Sequence, residues 1–298
     1  MNAPPILEIG DDASRAQALA RVAELLARSG VEDAKTDARI LLLAAAELTH
    51  AQLVLDPLAS VGAKAARRLA EYAARRAARE PVSRILATRG FWTLDLHVTP
   101  GVLDPRADTE TLVELALRLV ADRRRESLSI LDLGSGSGAI VCALLSELPE
   151  AKAVAVDLSE TACGATKANL AACGLAARGA VLRGRWAEAI SARFDLVVSN
   201  PPYIRSEDIH SLSPEVALHD PLLALDGGGD GLGCYRQIVQ GLPNVLNPEG
   251  LVLFELGAGQ ASDVAELLVE AGLQIAAIAR DAGGHERAVA ARLPPSGA

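Results

Sequence analysis

Residues Ile130–Ile140 read ILDLGSGSGAI. A short apolar run carries one acid, Asp132, breaks at three alternate glycines, and resumes as an apolar segment. Such a run bounded by glycines predicts a strand, a loop and then a helix. The glycines allow a tight turn and let a ligand approach the backbone without meeting a Cβ. The next predicted strand lies in AVAVDLSE (Ala153–Glu160) and closes on Asp157, 19 residues after Gly138. An acid in that place accepts hydrogen bonds from ribose hydroxyls.

The loop is G-S-G-S-G, whereas a dinucleotide pyrophosphate is seated on G-x-G-x-x-G at a helix N-terminus. Asp132 beside it repels phosphate and favours a cation. No lysine follows the glycines as a P-loop requires. The expected ligand is therefore S-adenosyl-L-methionine, which carries an ammonium and a sulfonium. Gly134, Ser135, Gly136, Ser137, Gly138 and Asp157 are its candidate binding residues. Trp186, just after the third strand of the series, is placed to pack on adenine.

Downstream the alternation continues. Strands are expected at Ser129–Leu133, Ala153–Leu158, Ala180–Arg183, Asp195–Ser199, Leu251–Leu256 and Gln274–Ala279, with a last one at Arg287–Leu293. Helices are expected at Gly138–Leu148, Glu160–Ala172, Leu232–Leu246 and Gln260–Ala271. Short strands alternating with helices indicate a mostly parallel, doubly wound α/β sheet.

The fourth strand ends in Ser199-Asn200-Pro201-Pro202-Tyr203. In such a sheet ligands sit outside the carboxyl ends of strands, so this tetrad belongs beside the glycine loop. A planar –NH2 nitrogen is a weak nucleophile because its lone pair is delocalised. Methylating it requires acceptors for both N–H bonds and a lone pair aimed at the sulfonium methyl. Asn200 Oδ1 and the Pro201 carbonyl are the predicted acceptors, prolines fix the direction of that carbonyl, and Tyr203 offers a stacking face. Asn200, Pro201, Pro202 and Tyr203 are the candidate catalytic residues, and Asn200 also belongs to the cofactor set. The tetrad by itself serves a glutamine amide or an adenine amino group equally well.

Upstream, residues 14–80 read as helices, Ser14–Ser29, Asp33–Leu48 and Ala63–Arg79, forming a small bundle. FWTLDLHVT places Trp92, Leu94, Leu96 and Val98 on one strand face, as in a hairpin, and Asp108 or Thr109 is placed to cap a helix running to about Ala121. The expected division is a helical domain over 1–82, a hairpin linker over 83–107 and a catalytic domain over 108–298.

The net charge of −9 argues against broad nucleic-acid binding, although residues 60–89 carry eight Lys/Arg against two Glu. That stretch is either a dock for an acidic partner or a solvated helix face. No apolar run reaches the ~18 residues of a membrane span, and the N-terminus has no signal-peptide core. Four scattered cysteines, with no CxxC spacing, fit a reducing, cytoplasmic setting without a metal site. His50, His97, His210, His219 and His285 lack metal spacing.

These features together resemble the peptide chain release factor glutamine N5-methyltransferases, the PrmC/HemK family. The resemblance is carried by REPVSRILATRGFWTLDLHVTPGVLDPRADTETLVE, ILDLGSGSGAI, AVDLS, SNPPYI, DPLLALDGGGDGLGCYRQI and RDAGGHERAV. It implies a Rossmann-like, seven-stranded methyltransferase domain after a helical domain that recognises the release factor. The implied acceptor is the glutamine of a Gly-Gly-Gln motif; apart from the resemblance, a monomer with no direct nucleic-acid partner is expected. Glutamine methylation of a ribosomal protein, or N6-adenine methylation, is the alternative with the same tetrad. Three positions depart from the family pattern. Asp104-Pro105-Arg106-Ala107 stands for Ile-Pro-Arg-Pro, Arg185 stands for Asp before Trp186, and Asp220 stands for Glu before Pro221.

Overall fold

A computed structural model describes residues 7–294. They fall into two compact units, up to Ala87 and from Thr88 onward.

The first unit holds α1 (Arg15–Arg28), α2 (Ala34–Ala46), α3 (His50–Leu55), α4 (Ala63–Ala77) and α5 (Val82–Leu86). Ser14 caps α1 in a reciprocal pair with Gln17, as an S-x-x-Q sequence favours. Val22, Leu26, Leu41, Leu42 and Leu69 form the centre of its core. The sequence reading missed α3 and α5. Each is six residues or fewer, too short to show a helical period.

Much of the basic stretch 60–89 is internal wiring. Arg76 is buried and pairs with Asp37 of α2 at 2.7 Å. Arg75 holds Glu80 at 2.6 Å, and Arg79 donates to the Gly30 carbonyl at 2.6 Å. Lys64 and Arg67 are exposed.

The second unit opens with a hairpin, β1 (Thr88–Phe91) and β2 (Leu94–His97). Trp92 is not part of a strand, as the alternation implied, but the first residue of the two-residue turn, with φ 57°. Alternation cannot separate a strand from a strand plus a tight turn that keeps the period. The strained turn is secured because both N–H groups of Trp92 find carboxylates, Glu110 for the backbone and Glu147 for the indole, each at 2.8 Å.

The remaining elements are α6 (Glu110–Leu119), β3 (Ser129–Leu133), α7 (Ala139–Glu147), β4 (Lys152–Asp157), α8 (Glu160–Ala172), β5 (Gly179–Arg183), β6 (Phe194–Ser199), α9 (Pro214–His219), α10 (Gly233–Val245), β7 (Leu246–Glu255), α11 (Ala261–Glu270), β8 (Gln274–Arg280) and β9 (Glu286–Arg292). The seven-stranded sheet runs β5-β4-β3-β6-β7-β9-β8. All its pairings are parallel except those of β9, which is antiparallel to both neighbours.

Successive residues of the central strands face opposite layers. Ile130 and Val198 pack among the side chains of α6, α7 and α8. Leu131, Leu133 and Val197 pack against α10 and α11. Burial on both faces is why these strands read as apolar runs rather than as alternating ones. The chain proceeds from β3 outward to β5, then returns to β6 on the other side of β3. That reversal leaves a crevice between the carboxyl ends of β3 and β6, the topological switch point where ligands bind. No helix of the described residues is long and apolar enough to cross a membrane.

Candidate active site

A cavity of about 590 Å³ opens at this switch point. Its wall includes Gly134, Gly136, Asp157, Trp186, Asn200 and Pro202, six of the sequence-predicted residues. Its volume falls within the range of small-molecule sites.

The glycine loop is held from below. The Gly134 and Ser135 amides donate to the Val156 carbonyl at 2.8 and 3.1 Å. Gly134, Gly136 and Gly138 all have positive φ. A Cβ on Gly134 would come within 3.3 Å of the Trp186 ring, and one on Gly138 within 2.9 Å of Thr166 Cγ2. Nothing lies within 4 Å of where a Cβ on Gly136 would stand, so a ligand can approach the loop on that side.

The other loop members serve the scaffold. Ser135 Oγ pairs with Thr166 Oγ1 at 3.0 Å, and Thr166 donates to the Gly136 carbonyl at 3.0 Å. Asn169, fully buried on α8, donates to the Ser137 carbonyl at 2.9 Å. It also exchanges two hydrogen bonds with the His97 backbone, tying the hairpin to the loop. Thr166 and Asn169 were missed. Their signal was two polar residues three apart on the apolar face of a predicted helix.

The donor set suits a cationic nucleoside. Asp157 accepts from the Gly136 and Ser159 amides at 2.9 and 2.8 Å, and each oxygen keeps a lone pair for a ribose hydroxyl. Asp132 is completely buried, and neither of its oxygens has a hydrogen-bond partner. Burial, then repulsion from Asp157, pushes its carboxyl up to about 7, with only a weak opposing pull from the Val141 amide, which falls short of a hydrogen bond. An uncompensated acid under the loop is costly alone and is relieved by a positive ligand. A pyrophosphate would add to the repulsion. S-adenosylmethionine therefore fits. Asp157, Gly134 and Gly136 would hold it, with Trp186 flanking, and the group supplies an electrophilic methyl on sulfur. The Trp186 indole is itself anchored, donating to Gln237 at 2.9 Å.

Asn200 leaves β6 at the cavity rim, and its Nδ2 donates to Thr109 Oγ1 at 3.3 Å. No hydrogen bond of the described residues ends on Asn200 Oδ1 or on the Pro201 carbonyl. Thr109 directly precedes α6 but makes no side-chain cap there, contrary to the capping expected of Asp108 or Thr109, because residues 107–109 already form a helical turn that runs into α6 and Thr109 lacks the extended backbone of a cap.

Pro201 and Tyr203 do not line the cavity. The Tyr203 hydroxyl donates to Glu255 Oε1 at 3.3 Å, and its carbonyl accepts from Gln260 at 3.0 Å. Burial and the nearby Glu255 charge hold its phenol well above the usual range. Glu255, 1% exposed, was not singled out from the sequence, although an acid inside the apolar run LVLFEL marks it.

The run Gly227–Gly231 cradles the tetrad. The Gly227 amide donates to the Ile204 carbonyl at 2.8 Å. A Cβ on Gly227 would meet Tyr203 Cα at 2.8 Å and the Pro202 carbonyl at 2.9 Å. One family departure is held by a residue that keeps the pattern: Arg106 forms an ion pair with the buried carboxylate of Asp220, joining the segment before α6 to the cavity-lining stretch Pro221–Ala224. Arg185, another departure, lines the cavity mouth.

Comparison with known proteins gives two family profiles. Residues 17–86 match the PrmC N-terminal domain and residues 106–230 the Methyltransferase small domain. The chain is 45% identical over 269 residues to a release factor glutamine methyltransferase of Rhodospirillum rubrum, covering 90% of this chain and 82% of that protein. It is 42% identical over 262 residues to the Caulobacter vibrioides protein of the same name, covering 88% and 90%. Among solved structures, the hMettl16 catalytic domain in complex with MAT2A 3′UTR hairpin 6 superposes with a TM-score of 0.56 at 16% identity, over 76% of this chain and 83% of that one, a likeness of fold alone.

Proposed function

Because this chain belongs to the release factor glutamine methyltransferase family, we infer that it transfers a methyl group from S-adenosylmethionine to the side-chain amide nitrogen, N5, of a release factor glutamine, that of the Gly-Gly-Gln motif. Residues 1–82 serve to recognise the release factor, 83–107 to link, and 108–298 to catalyse. We place the enzyme in the cytoplasm, where translation factors act.

One observation carries the mechanism. Asn200 Oδ1 and the Pro201 carbonyl follow the carboxyl end of β6 with no donor among the described residues, and Asn200 lines the same cavity as Gly136. Two unengaged acceptors on consecutive residues match in number the two N–H bonds of a primary amide. Accepting both holds the amide plane and turns its π lone pair toward the cavity. The acceptors also gain strength as positive charge develops on nitrogen, so they favour the transition state over the ground state. Pro201 and Pro202 keep the carbonyl direction constant through turnover. Tyr203, with its hydroxyl on Glu255 and its carbonyl on Gln260, is the anchor that keeps the turn in place.

The test is transfer of labelled methyl from S-adenosylmethionine to a release factor, to its Gln→Ala variant in Gly-Gly-Gln, and to nucleic acid, in separate reactions. Label on the intact release factor alone is expected. Equal label on the Gln→Ala variant, or label on nucleic acid only, overturns the reading.

A further inference from the structure

Residues 202–224 run from the NPPY turn back toward the glycine run Gly227–Gly231, and Pro202 and Pro221–Ala224 among them form cavity wall. The segment leaves and re-enters the domain through one neck. The Ile204 amide donates to the Leu225 carbonyl at 3.0 Å, the Gly227 amide to the Ile204 carbonyl at 2.8 Å, and Gln260 holds the Tyr203 carbonyl at 3.0 Å. Beyond that neck there is almost no core. Among the described residues 202–224, Asp220 alone is buried, while Leu218, Leu222 and Leu223 are exposed. The α-helix of the segment, α9, has six residues, too few to stand without packing.

A segment with few buried apolar contacts opens locally at low cost. At Asp220 it is charge that opposes opening. The Asp220 side chain is 1% exposed and forms an ion pair with Arg106. Asp220 ends α9 and is followed directly by the wall residues Pro221–Ala224. Arg106 comes shortly after Gly101, Val102 and Leu103, which also line the cavity. The ion pair, between residues 114 positions apart, therefore joins two stretches of cavity wall. Without Arg106 the closed segment would bury the Asp220 charge away from this cation, and opening would hydrate it.

We propose that residues 205–224 form a lid on the cavity, and that Arg106 and Asp220 are positioning residues whose ion pair latches it over bound S-adenosylmethionine. The proposal rests on the reading of the cavity as the cofactor site. Closure completes the wall with Pro221–Ala224. Opening at the neck lets cofactor in and spent cofactor out, so the latch sets the rate at which cofactor leaves.

The experiment uses the full-length chain as wild type, Arg106→Ala, Arg106→Lys and Asp220→Asn. It reads amide hydrogen exchange over 216–226, where the bonded amides are held by turns within the segment, and stopped-flow dissociation of S-adenosylmethionine. In the wild type, saturating S-adenosylmethionine should slow exchange over 216–226. In Arg106→Ala, ligand-free exchange there should accelerate roughly 10- to 100-fold with α11 unchanged, and cofactor should leave roughly tenfold faster or more, the scale of removing one partner from a buried pair. Arg106→Lys, which keeps a cation, should restore both to within about threefold of wild type. Asp220→Asn, which removes the charge at constant size, should accelerate both roughly three- to tenfold. A pair that serves stability alone would lower the melting temperature and leave dissociation as it was, and that result overturns the proposal. Failure of lysine to restore dissociation, or exchange over 216–226 that cofactor does not slow, overturns it too. If Arg106→Ala does not fold, Asp220→Asn decides: unchanged exchange and dissociation overturn it. A wild-type chain that binds no S-adenosylmethionine would instead sink the underlying reading, so the two failures are distinct, and ligand-free exchange in the variants still judges the latch.

Discussion

Replacing Asn169 by alanine should loosen the glycine loop without touching the cavity wall. The side chain is fully buried and makes three hydrogen bonds, at 2.8 and 3.1 Å to the His97 backbone and 2.9 Å to the Ser137 carbonyl. The His97 backbone lies in an exposed strand of the hairpin, where water replaces the lost partner. The Ser137 carbonyl does not have that recourse. At ~1 kcal/mol net per hydrogen bond, with ~1–3 kcal/mol for a stranded buried acceptor, the loop loses about 3 kcal/mol. Thr166, on the Gly136 carbonyl at 3.0 Å, is the main tether left from α8. About 3 kcal/mol is roughly a hundredfold in the equilibrium for local opening. Amide hydrogen exchange on a peptide spanning 130–140 of the ligand-free chain reads this directly. Exchange there should accelerate roughly a hundredfold, with α11 unchanged, and S-adenosylmethionine affinity should weaken. Loop exchange within about threefold of wild type would refute the claim that Asn169 ties hairpin to loop.

Adjacent glycines should respond in opposite ways. Gly227→Ala drives a Cβ into backbone at 2.7–2.9 Å and should cost about 2–3 kcal/mol and most turnover, whereas Gly229→Ala, with nothing within 4 Å and no positive φ, should leave melting temperature and kcat unchanged. Asn200→Ala should abolish most methyl transfer while cofactor Kd, by calorimetry, changes only modestly; unchanged turnover would remove Asn200 from its role. Asp132 gives a pH signature in the ligand-free protein. Its folded-state carboxyl lies near 7, above the ordinary 3.8, so the native state binds the extra proton and stability falls as pH rises between those values. Asp132→Asn should therefore raise the melting temperature at pH 8, and the gain should shrink toward pH 4; a gain independent of pH would show that Asp132 carries no such strain.

The fold was legible because its signals are local. Every strand of the large sheet was placed to within a few residues, β7 least well: its first five residues carry Asn247, Pro248 and Gly250, which hide a strand from a propensity reading. The glycine loop, Asp157 and the NPPY turn were visible because backbone conformation and strand ends are written in nearby residues. Trp92 was misread since a tight turn and a strand share the same period there. Thr109 was read as a cap, the usual use of threonine before a helix, and its hydroxyl proved to belong to a residue 91 positions away.

The sequence by itself determined the order of strands and helices, the loop that turns at glycine, and the chemistry of two carboxylates and a carboxamide set at strand ends. It did so because periodicity, glycine geometry and proline stiffness act over a few residues. Tertiary structure alone decided which polar groups are left wanting a partner. Asp132 is unsatisfied, Asn169 bridges hairpin and loop, and Thr109 accepts from the Asn200 amide, because burial and hydrogen-bond partners are set by residues 32 to 91 positions apart meeting in the folded chain.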